Sequence, residues 1–198
     1  MDEGASRRRA TEPRHMNKKI IFSIIIILLL VGGGVFWGQN QKDVRELNKN
    51  LPGGIKVVKS LGGEYKVVNK IDGYEVKVPK EWGGLRETEY TPERIVKELK
   101  VASVNVIGKN YESIAIDSYR IEDPEMNLEI WVKELQDYLK LSGTLEKDIV
   151  KNLEIIKIKE EEHLAGMYIY FLKKDLRIHA IAGFSEKSIR EVILNGKW

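Results

Sequence analysis

The chain has 198 residues, and its 33 basic and 30 acidic side chains give a formal net charge of +3. This excess lies entirely in residues 1–37, and the rest of the chain is neutral. A neutral domain argues against a nucleic-acid partner, because nucleic-acid-binding proteins carry a basic surface. The absence of cysteine excludes disulfide bonds and thiol chemistry. We therefore expect a domain that packing alone stabilises.

Residues 20–37 form an apolar block without a charged side chain. As a helix the block would span about 27 Å, close to the roughly 30 Å thickness of the hydrocarbon core of a bilayer. Phe36 and Trp37 at its far end are typical of the headgroup region. A cleaved signal peptide is the alternative, but such peptides have a shorter apolar core and a small-residue cleavage site. The sequence therefore predicts a transmembrane anchor at residues 20–37, in contact with the lipid bilayer.

The charges that flank this block predict its orientation. Six basic residues precede the block, three follow it closely, and Lys18 and Lys19 abut its near end. The positive-inside rule then places the basic tail at residues 1–19 in the cytoplasm and the following domain outside it. A translation start at Met16 would remove most of this bias, although the two lysines would still favour the same orientation.

The segment after the anchor is polar as far as the proline and glycines at residues 52–54. We assign residues 38–52 to a solvated linker or a short helical continuation of the anchor. Residues 53–198 then form an extracytoplasmic domain. Its first predicted element is a hairpin, in which residues 64–69 and 74–78 flank an Asp-Gly turn.

Strand pairs with single helices between them predict an α+β fold with a mainly antiparallel sheet. The apolar stripe of the longest predicted helix is expected to pack on the face of the hairpin that carries Tyr74, Val76 and Val78. The stripe consists of Leu128, Trp131, Leu135 and Tyr138. In chain order we expect a short helix over 91–100 with Pro92 at its start, strands over 101–107 and 112–121, a helix over 127–141, one or two helical turns over 144–152, strands over 153–159, 167–172 and 176–182, and a last helix from Ser185 to Gly196.

Three stretches carry a resemblance to a known family. Residues 73–82 (GYEVKVPKEW) are similar to an early strand that closes on a proline and a tryptophan. Residues 127–132 (NLEIWV) are similar to a helix start, and Phe184-Ser185-Glu186 follows a C-terminal hairpin. In these features the chain resembles the PsbP-like family. The resemblance implies an α/β/α sandwich around an antiparallel sheet. It implies no activity, because the family spans photosystem subunits, nuclear-import factors and anchored bacterial proteins of unknown role.

Two of the three histidines lie in the predicted domain. Glu160, Glu161, Glu162 and His163 are adjacent, and four adjacent side chains cannot all face one metal ion, so we expect a charged turn. His179 lies in the last predicted strand, where we expect a surface or half-buried side chain because no hydrogen-bond partner can be inferred.

The remaining candidates are weak. Ser113, Ser118 and Ser185 lack the glycines of a nucleophile elbow. Trp82 and Trp131 could line a groove, but core packing is the expected use of such bulk. We assign no catalytic, cofactor-binding or metal-binding residues and no cofactor.

Two hypotheses about function follow. The first is a single-pass membrane-anchored binding or interaction module whose domain contacts a partner protein or another component of the cell envelope. The alternative is an anchored enzyme, such as a hydrolase, which would need a cleft with convergent polar groups and shifted pKa values. A cleft around His179 would favour this alternative.

Overall fold

The computed structural model describes residues 42–96, 98–161 and 166–198. The predicted tail and the predicted anchor at residues 20–37 lie outside the described residues. Within the described residues, no helix has the length and apolar character that are needed to span a bilayer. The described chain combines two antiparallel sheets with three helices, which confirms the α+β class.

The smaller sheet has three antiparallel strands. They are β1 (Ile55–Lys59), β2 (Tyr65–Asn69) and β3 (Tyr74–Lys77), in that spatial order. β2 and β3 form the predicted hairpin, and Tyr74, Val76 and Val78 are buried on its inner face, as the alternating pattern indicates. β1 was not expected from the sequence, although Ile55 and Val57 alternate with lysine and valine there.

The strands of the larger sheet are β4 (Leu85–Val96), β5 (Leu99–Gly108), β6 (Ser113–Arg120), β7 (Leu145–Val150), β8 (Leu153–Lys159), β9 (Tyr168–Lys174) and β10 (Arg177–Gly183). These seven strands are antiparallel and lie in the spatial order β4-β5-β6-β10-β9-β8-β7. β10 therefore lies at the centre and joins two meanders, because it pairs with β6 on one side and with β9 on the other.

Three α-helices accompany the sheets in the described residues: α1 (residues 42–48), α2 (Leu128–Leu139) and α3 (Glu186–Asn195). A short 3-10 helix covers Lys80–Trp82. The Asn127 side chain caps α2 by accepting a hydrogen bond from the backbone N–H of Ile130. The Ser185 side chain caps α3 in the same way, and Gly196 ends that helix, as the sequence predicts.

Each face of the seven-stranded sheet has its own core. On one face, α2 contacts β8 and β9 and buries Trp131, Val132 and Leu135. On the other face, the three-stranded sheet and α3 enclose a second core that includes Val67, Val76 and Ile189. The result is a layered domain with the large sheet in the middle.

This layering corrects the predicted packing of α2. Leu128, Trp131 and Leu135 are buried, but they face Ile156 and Phe171, on the opposite side of the large sheet from Tyr74, Val76 and Val78. Tyr138, the fourth member of the predicted stripe, is 51% exposed. The helix itself is confirmed, and the prediction of its partner face is wrong.

Two predicted helical segments are strands. Residues 91–96 continue β4, and Pro92 lies at an irregularity in the pairing between Thr91 and Arg94. β4 is an edge strand, where a bulge tolerates a residue without a backbone N–H. Residues 145–150 form β7, the opposite edge. Lys151 and Asn152 turn β7 into β8, both with positive φ, as in the tight turns that suit hairpins.

The structure also folds part of the segment that the sequence assigns to the linker. Val44 of α1 is buried against the core of the three-stranded sheet. The Asn48 side chain accepts a hydrogen bond of 2.7 Å from the N–H of Val57 and donates one of 2.9 Å to its C=O. Residues 42–52 therefore belong to the packed domain rather than to a solvated linker.

Candidate functional site

A cleft of about 430 Å³ opens where one end of β6, the β9–β10 turn and the β2–β3 turn meet the C-terminal tryptophan. The last residues of the sequence lie beside the cleft because a β-bridge joins Lys197 to Glu75 of β3. The turn after α3 requires Gly196, since a Cβ there would lie 2.6 Å from the Trp198 indole nitrogen. Trp198 is thereby held beside the cleft as an aromatic wall.

His179 lines the cleft and is 1% exposed. Its Nδ1 lies 3.0 Å from the Ser118 hydroxyl on the neighbouring strand. The imidazole centroid lies 5.4 Å from the Tyr74 ring, edge to face, and 5.4 Å from Trp198. The prediction that His179 is at or near the surface is therefore wrong, because its strand lies at the centre of the sheet and is covered on this face.

Burial lowers the pKa of His179 to about 3, and the positive charge of Arg177 acts in the same direction. The imidazole is consequently neutral at physiological pH. A neutral imidazole can donate or accept a hydrogen bond according to its tautomer, but a group with this pKa is a weak base.

Three cations form one row above His179. Arg120 of β6, Arg177 of β10 and Lys174 of β9 lie directly opposite one another in the pairing register of adjacent strands. Side chains at paired positions of antiparallel strands share a face, and all three line the cleft. We refer to Arg120, Arg177 and Lys174 as the cationic row.

The middle member of the row is bound to a buried carboxylate. Arg177 donates from Nη1 to Asp72 at 2.8 Å and from Nη2 to the carbonyl of Ile71, also at 2.8 Å. Asp72 is 4% exposed, and its second oxygen accepts a 2.8 Å hydrogen bond from the Asn69 side chain. This network ties the β2–β3 turn to the central strand and closes one side of the cleft.

The outer members of the row are less engaged. Lys174 lies 3.9 Å from Asp175, whose side chain is 83% exposed, so that pairing is weak. Arg120 is exposed, and no carboxylate among the described residues pairs with it. Most of the positive charge at the rim therefore faces solvent.

Three other depressions lie on the described surface. One of about 540 Å³ lies between α1 and β4, another of about 540 Å³ lies beside the start of α2, and a third of about 300 Å³ lies on the sheet face near Phe184. The titratable side chains that line the first two depressions are exposed or half-buried, and the third depression has no titratable side chain. Only the cleft at His179, among these four, combines a buried titratable group with an aromatic wall and a charged rim.

The acidic cluster near residue 160 is a structural turn in its described part. Glu160 is buried, and its Oε1 accepts hydrogen bonds from the Ser142 N–H and hydroxyl. Glu162 and His163 lie outside the described residues. Within the described ranges, no three His, Cys, Asp or Glu side chains gather as metal ligands. Trp82 and Trp131 are buried core residues, as expected.

Sequence reasoning missed Asp72, Arg120, Lys174, Arg177 and Trp198. The residues come from four separate segments, and Ser118 and His179 alone are 61 positions apart. The strand register that aligns them could not be read from the alternating pattern. The sequence did contain one signal, the Lys-Lys-Asp-Leu-Arg run at the β9–β10 turn.

The chain matches no known protein-family model, no curated protein and no solved structure. What the cleft can do therefore follows from its own groups. It offers an aromatic surface in Trp198 and a positively charged rim, with the neutral imidazole of His179 almost fully buried beneath them. The surface and the rim together suit the binding of a small molecule or of a protruding side chain.

Proposed function

We propose that the chain is a single-pass membrane-anchored binding module, and that the cleft at His179 is its binding site. In this proposal residues 20–37 hold the protein in the bilayer and the α+β domain lies outside the cytoplasm, where it contacts an envelope component or a partner protein. The observation that carries the binding role is the concave cleft, with its aromatic wall and its charged rim. Membership of the PsbP-like family stays a prediction.

Two features of the cleft favour binding over catalysis. Ser118 and His179 are both buried, at 2% and 1% exposure, so a substrate carbonyl has little access to the hydroxyl. The carboxylate nearest in the network, Asp72, bonds to Asn69 and Arg177 rather than to the imidazole. A nucleophilic serine needs a base of suitable pKa that a third group orients, and the low pKa of His179 opposes that role.

One observation favours the alternative, an anchored hydrolase. The Ser118 hydroxyl and the His179 Nδ1 lie within hydrogen-bond distance at 3.0 Å, and the cleft contains convergent polar groups. A fluorophosphonate probe separates the two functions, because it reacts covalently with an activated serine. We expect no labelling at Ser118; stoichiometric labelling there would support the hydrolase instead.

Native mass spectrometry of the full-length protein, released in detergent from the membranes of the cells that make it, tests the binding role. We expect a bound small molecule on the wild-type chain that is lost from Leu176→Trp, which fills the cleft rim. Leu194→Trp on α3 is the matched control, since the two leucines are 47% and 49% exposed. A protein without bound mass, or equal retention in both variants, would contradict the proposal.

Protease added to intact spheroplasts tests the location. We expect digestion of the domain from outside, because the flanking lysines favour a cytoplasmic N-terminus. Protection until lysis would place the domain in the cytoplasm. Release of the chain from membranes by an alkaline wash would contradict the anchor, because burial of an apolar helix does not depend on ionic contacts.

A further inference from the structure

The cationic row is electrostatically unfavourable as it stands. Arg120 lies directly opposite Arg177, and Arg177 lies directly opposite Lys174. Like charges at paired positions of neighbouring strands destabilise a sheet. Asp72 neutralises the charge of Arg177, through the 2.8 Å contact at Nη1, but it does not pair with Arg120 or Lys174. At the mouth of the cleft the charge of Arg120 therefore has no carboxylate partner among the described residues, and that of Lys174 has only the weak contact with the exposed Asp175 at 3.9 Å.

The spacing of the row suits one anion. Neighbouring strands lie about 4.8 Å apart, so the outer two backbones are separated by roughly 10 Å. Arg120 and Lys174 are long side chains that can converge on a group between them, above Arg177. An arginine fork and a lysine ammonium are also the donors that proteins commonly use for phosphate.

Trp198, beside the row, offers a surface for the rest of a ligand. His179 and Ser118 occupy the next paired position on the same face of these two strands, almost fully buried, and Trp198 forms the wall. No described carboxylate other than Asp72 and the exposed Asp175 lines the cleft, so an entering dianion meets little repulsion. A small molecule could thus place its charged group on the row and a flat or apolar part against the aromatic ring.

We infer that the cationic row binds the phosphate group of a small molecule whose remaining part lies against Trp198 in the cleft. This inference rests on the proposed binding role of the cleft. The phosphate can belong to a soluble phosphomonoester or to a lipid whose headgroup ends in a phosphomonoester, such as phosphatidic acid, and both present the same terminal phosphate oxygens to Arg120 and Lys174.

Isothermal titration calorimetry of the full-length chain in dodecyl maltoside, at pH 7.5 and constant ionic strength, tests the inference. The probes are inorganic phosphate, glycerol 3-phosphate and acetate. We expect the two phosphates to bind with one-to-one stoichiometry and acetate to bind more weakly. Arg120→Gln should weaken phosphate binding by about tenfold or more, the usual consequence of losing a charge-assisted hydrogen bond. Arg45→Gln, an exposed arginine of α1, should leave it unchanged.

Thermal unfolding of the same variants distinguishes a binding role from a structural one. Without phosphate, Arg120→Gln should unfold at the same temperature as the wild type or about 2 °C higher, because one repulsive pair is relieved. A clear decrease would mean that Arg120 stabilises the fold, and it would overturn the inference. Equal affinity for acetate and phosphate would also overturn it.

Reconstitution into nanodiscs identifies the source of the phosphate. Weaker binding of glycerol 3-phosphate in discs with phosphatidic acid than in discs of phosphatidylcholine would support a lipid headgroup, and equal binding would support a soluble phosphomonoester. If phosphate fails to bind while native mass spectrometry shows a different small molecule in the cleft, the inference is wrong and the proposed function stands. If phosphate does not bind and mass spectrometry shows no small molecule in the cleft, the inference and the proposed function are both wrong.

Discussion

His179 is a buried imidazole on the central strand, surrounded by Ser118, Tyr74 and Trp198. The charged groups that face it are few. Arg177 lies two residues away on the same strand, and Asp72 bonds to that arginine from the β2–β3 turn. Tyr74 from β3 is un-ionised at neutral pH, since burial raises its pKa far above the usual value. The native state therefore favours the neutral imidazole.

The stability of the domain should depend on pH through His179. The pKa of His179 is about 3 in the folded state, against 6.5 for the free side chain. Between these values only the unfolded chain binds the proton, so stability is complete above about pH 6.5 and falls as the pH decreases. The slope should approach about 1.4 kcal/mol per pH unit. Denaturant melts between pH 7 and pH 5 measure this loss.

The control for this dependence is His179→Asn, which keeps a polar group near Ser118 and removes the titration. The variant should be less stable at neutral pH, but its stability should change less between pH 7 and pH 5. Equal slopes in the two proteins would mean that other groups cause the acid sensitivity.

Asp72 and Arg177 form a largely buried ion pair, in which the Asp72 side chain is 4% exposed and that of Arg177 is 22% exposed. Arg177→Ala leaves the Asp72 carboxylate buried without its cation, and we expect a loss of about 3 kcal/mol in the free energy of unfolding. Arg120→Ala, in the same row but without a carboxylate partner, should change stability by less than about 0.5 kcal/mol. Equal effects at both positions in chemical denaturation would contradict this account of the network.

The sequence could not predict the environment of His179. Its neighbours Ile178 and Ala180 identify a strand, but they do not show whether the second face of that strand is covered. Tyr74 and Trp198 cover that face at His179. The β2–β3 hairpin positions Tyr74, and the β-bridge between Glu75 and Lys197 positions Trp198. Long-range placement of this kind leaves no local pattern in the sequence.

Among the elements, α2 offers the clearest test of packing. Trp131 is 5% exposed and contacts Tyr119 and Phe171, with ring centroids 5.0 Å and 6.3 Å away. Trp131→Ala should cost about 3–5 kcal/mol, the range for a large buried aromatic side chain. The adjacent Ile130 is 60% exposed. Ile130→Ala should therefore cost less than about 1 kcal/mol. Urea melts that gave similar losses would contradict the orientation of the helix.

The two edge strands show why some elements were mispredicted. Thr-Pro-Glu at residues 91–93 is a strong local signal for a helix start, but here it lies in a bulge of β4. β7 has exposed side chains on both faces, including Ile149 at 74%, so its sequence does not alternate. Strands with a buried face, such as β3 and β10, alternate or form apolar runs, and these were predicted correctly.

The whole domain extends further toward the N-terminus than the sequence suggested. The described residues from 42 onward form one compact unit, and α1 contributes Val44 to the core and Asn48 to the edge of β1. We expect residues 40–198 to fold cooperatively when expressed alone. Residues 51–198 should be less stable by about 2 kcal/mol or more, because a buried valine and the two hydrogen bonds to Val57 are lost. Equal midpoints and slopes in urea would show that α1 is not part of the folded domain.

At this scale the α+β class and the helix caps were predictable from local patterns, whereas the α/β/α sandwich that the resemblance implies stays a prediction. The position of the cleft was not predictable, because it depends on β10 lying between β6 and β9. The pairing of β10 with β6 joins residues about 60 positions apart, and the alternating pattern within each strand does not show which distant strand becomes its neighbour.

The central claim is that the cleft at His179, rather than another surface, is the binding site. Two-dimensional NMR of ¹⁵N-labelled residues 40–198, titrated with a set of small phosphates, carboxylates and neutral aromatic compounds, tests it most directly. The account predicts that the largest amide shifts occur at Gly73, Ile121 and Leu176 and in the Trp198 indole, which line the cleft. Shifts confined to the sheet face around Ala115 and Phe184, or no shifts with any compound, would contradict it.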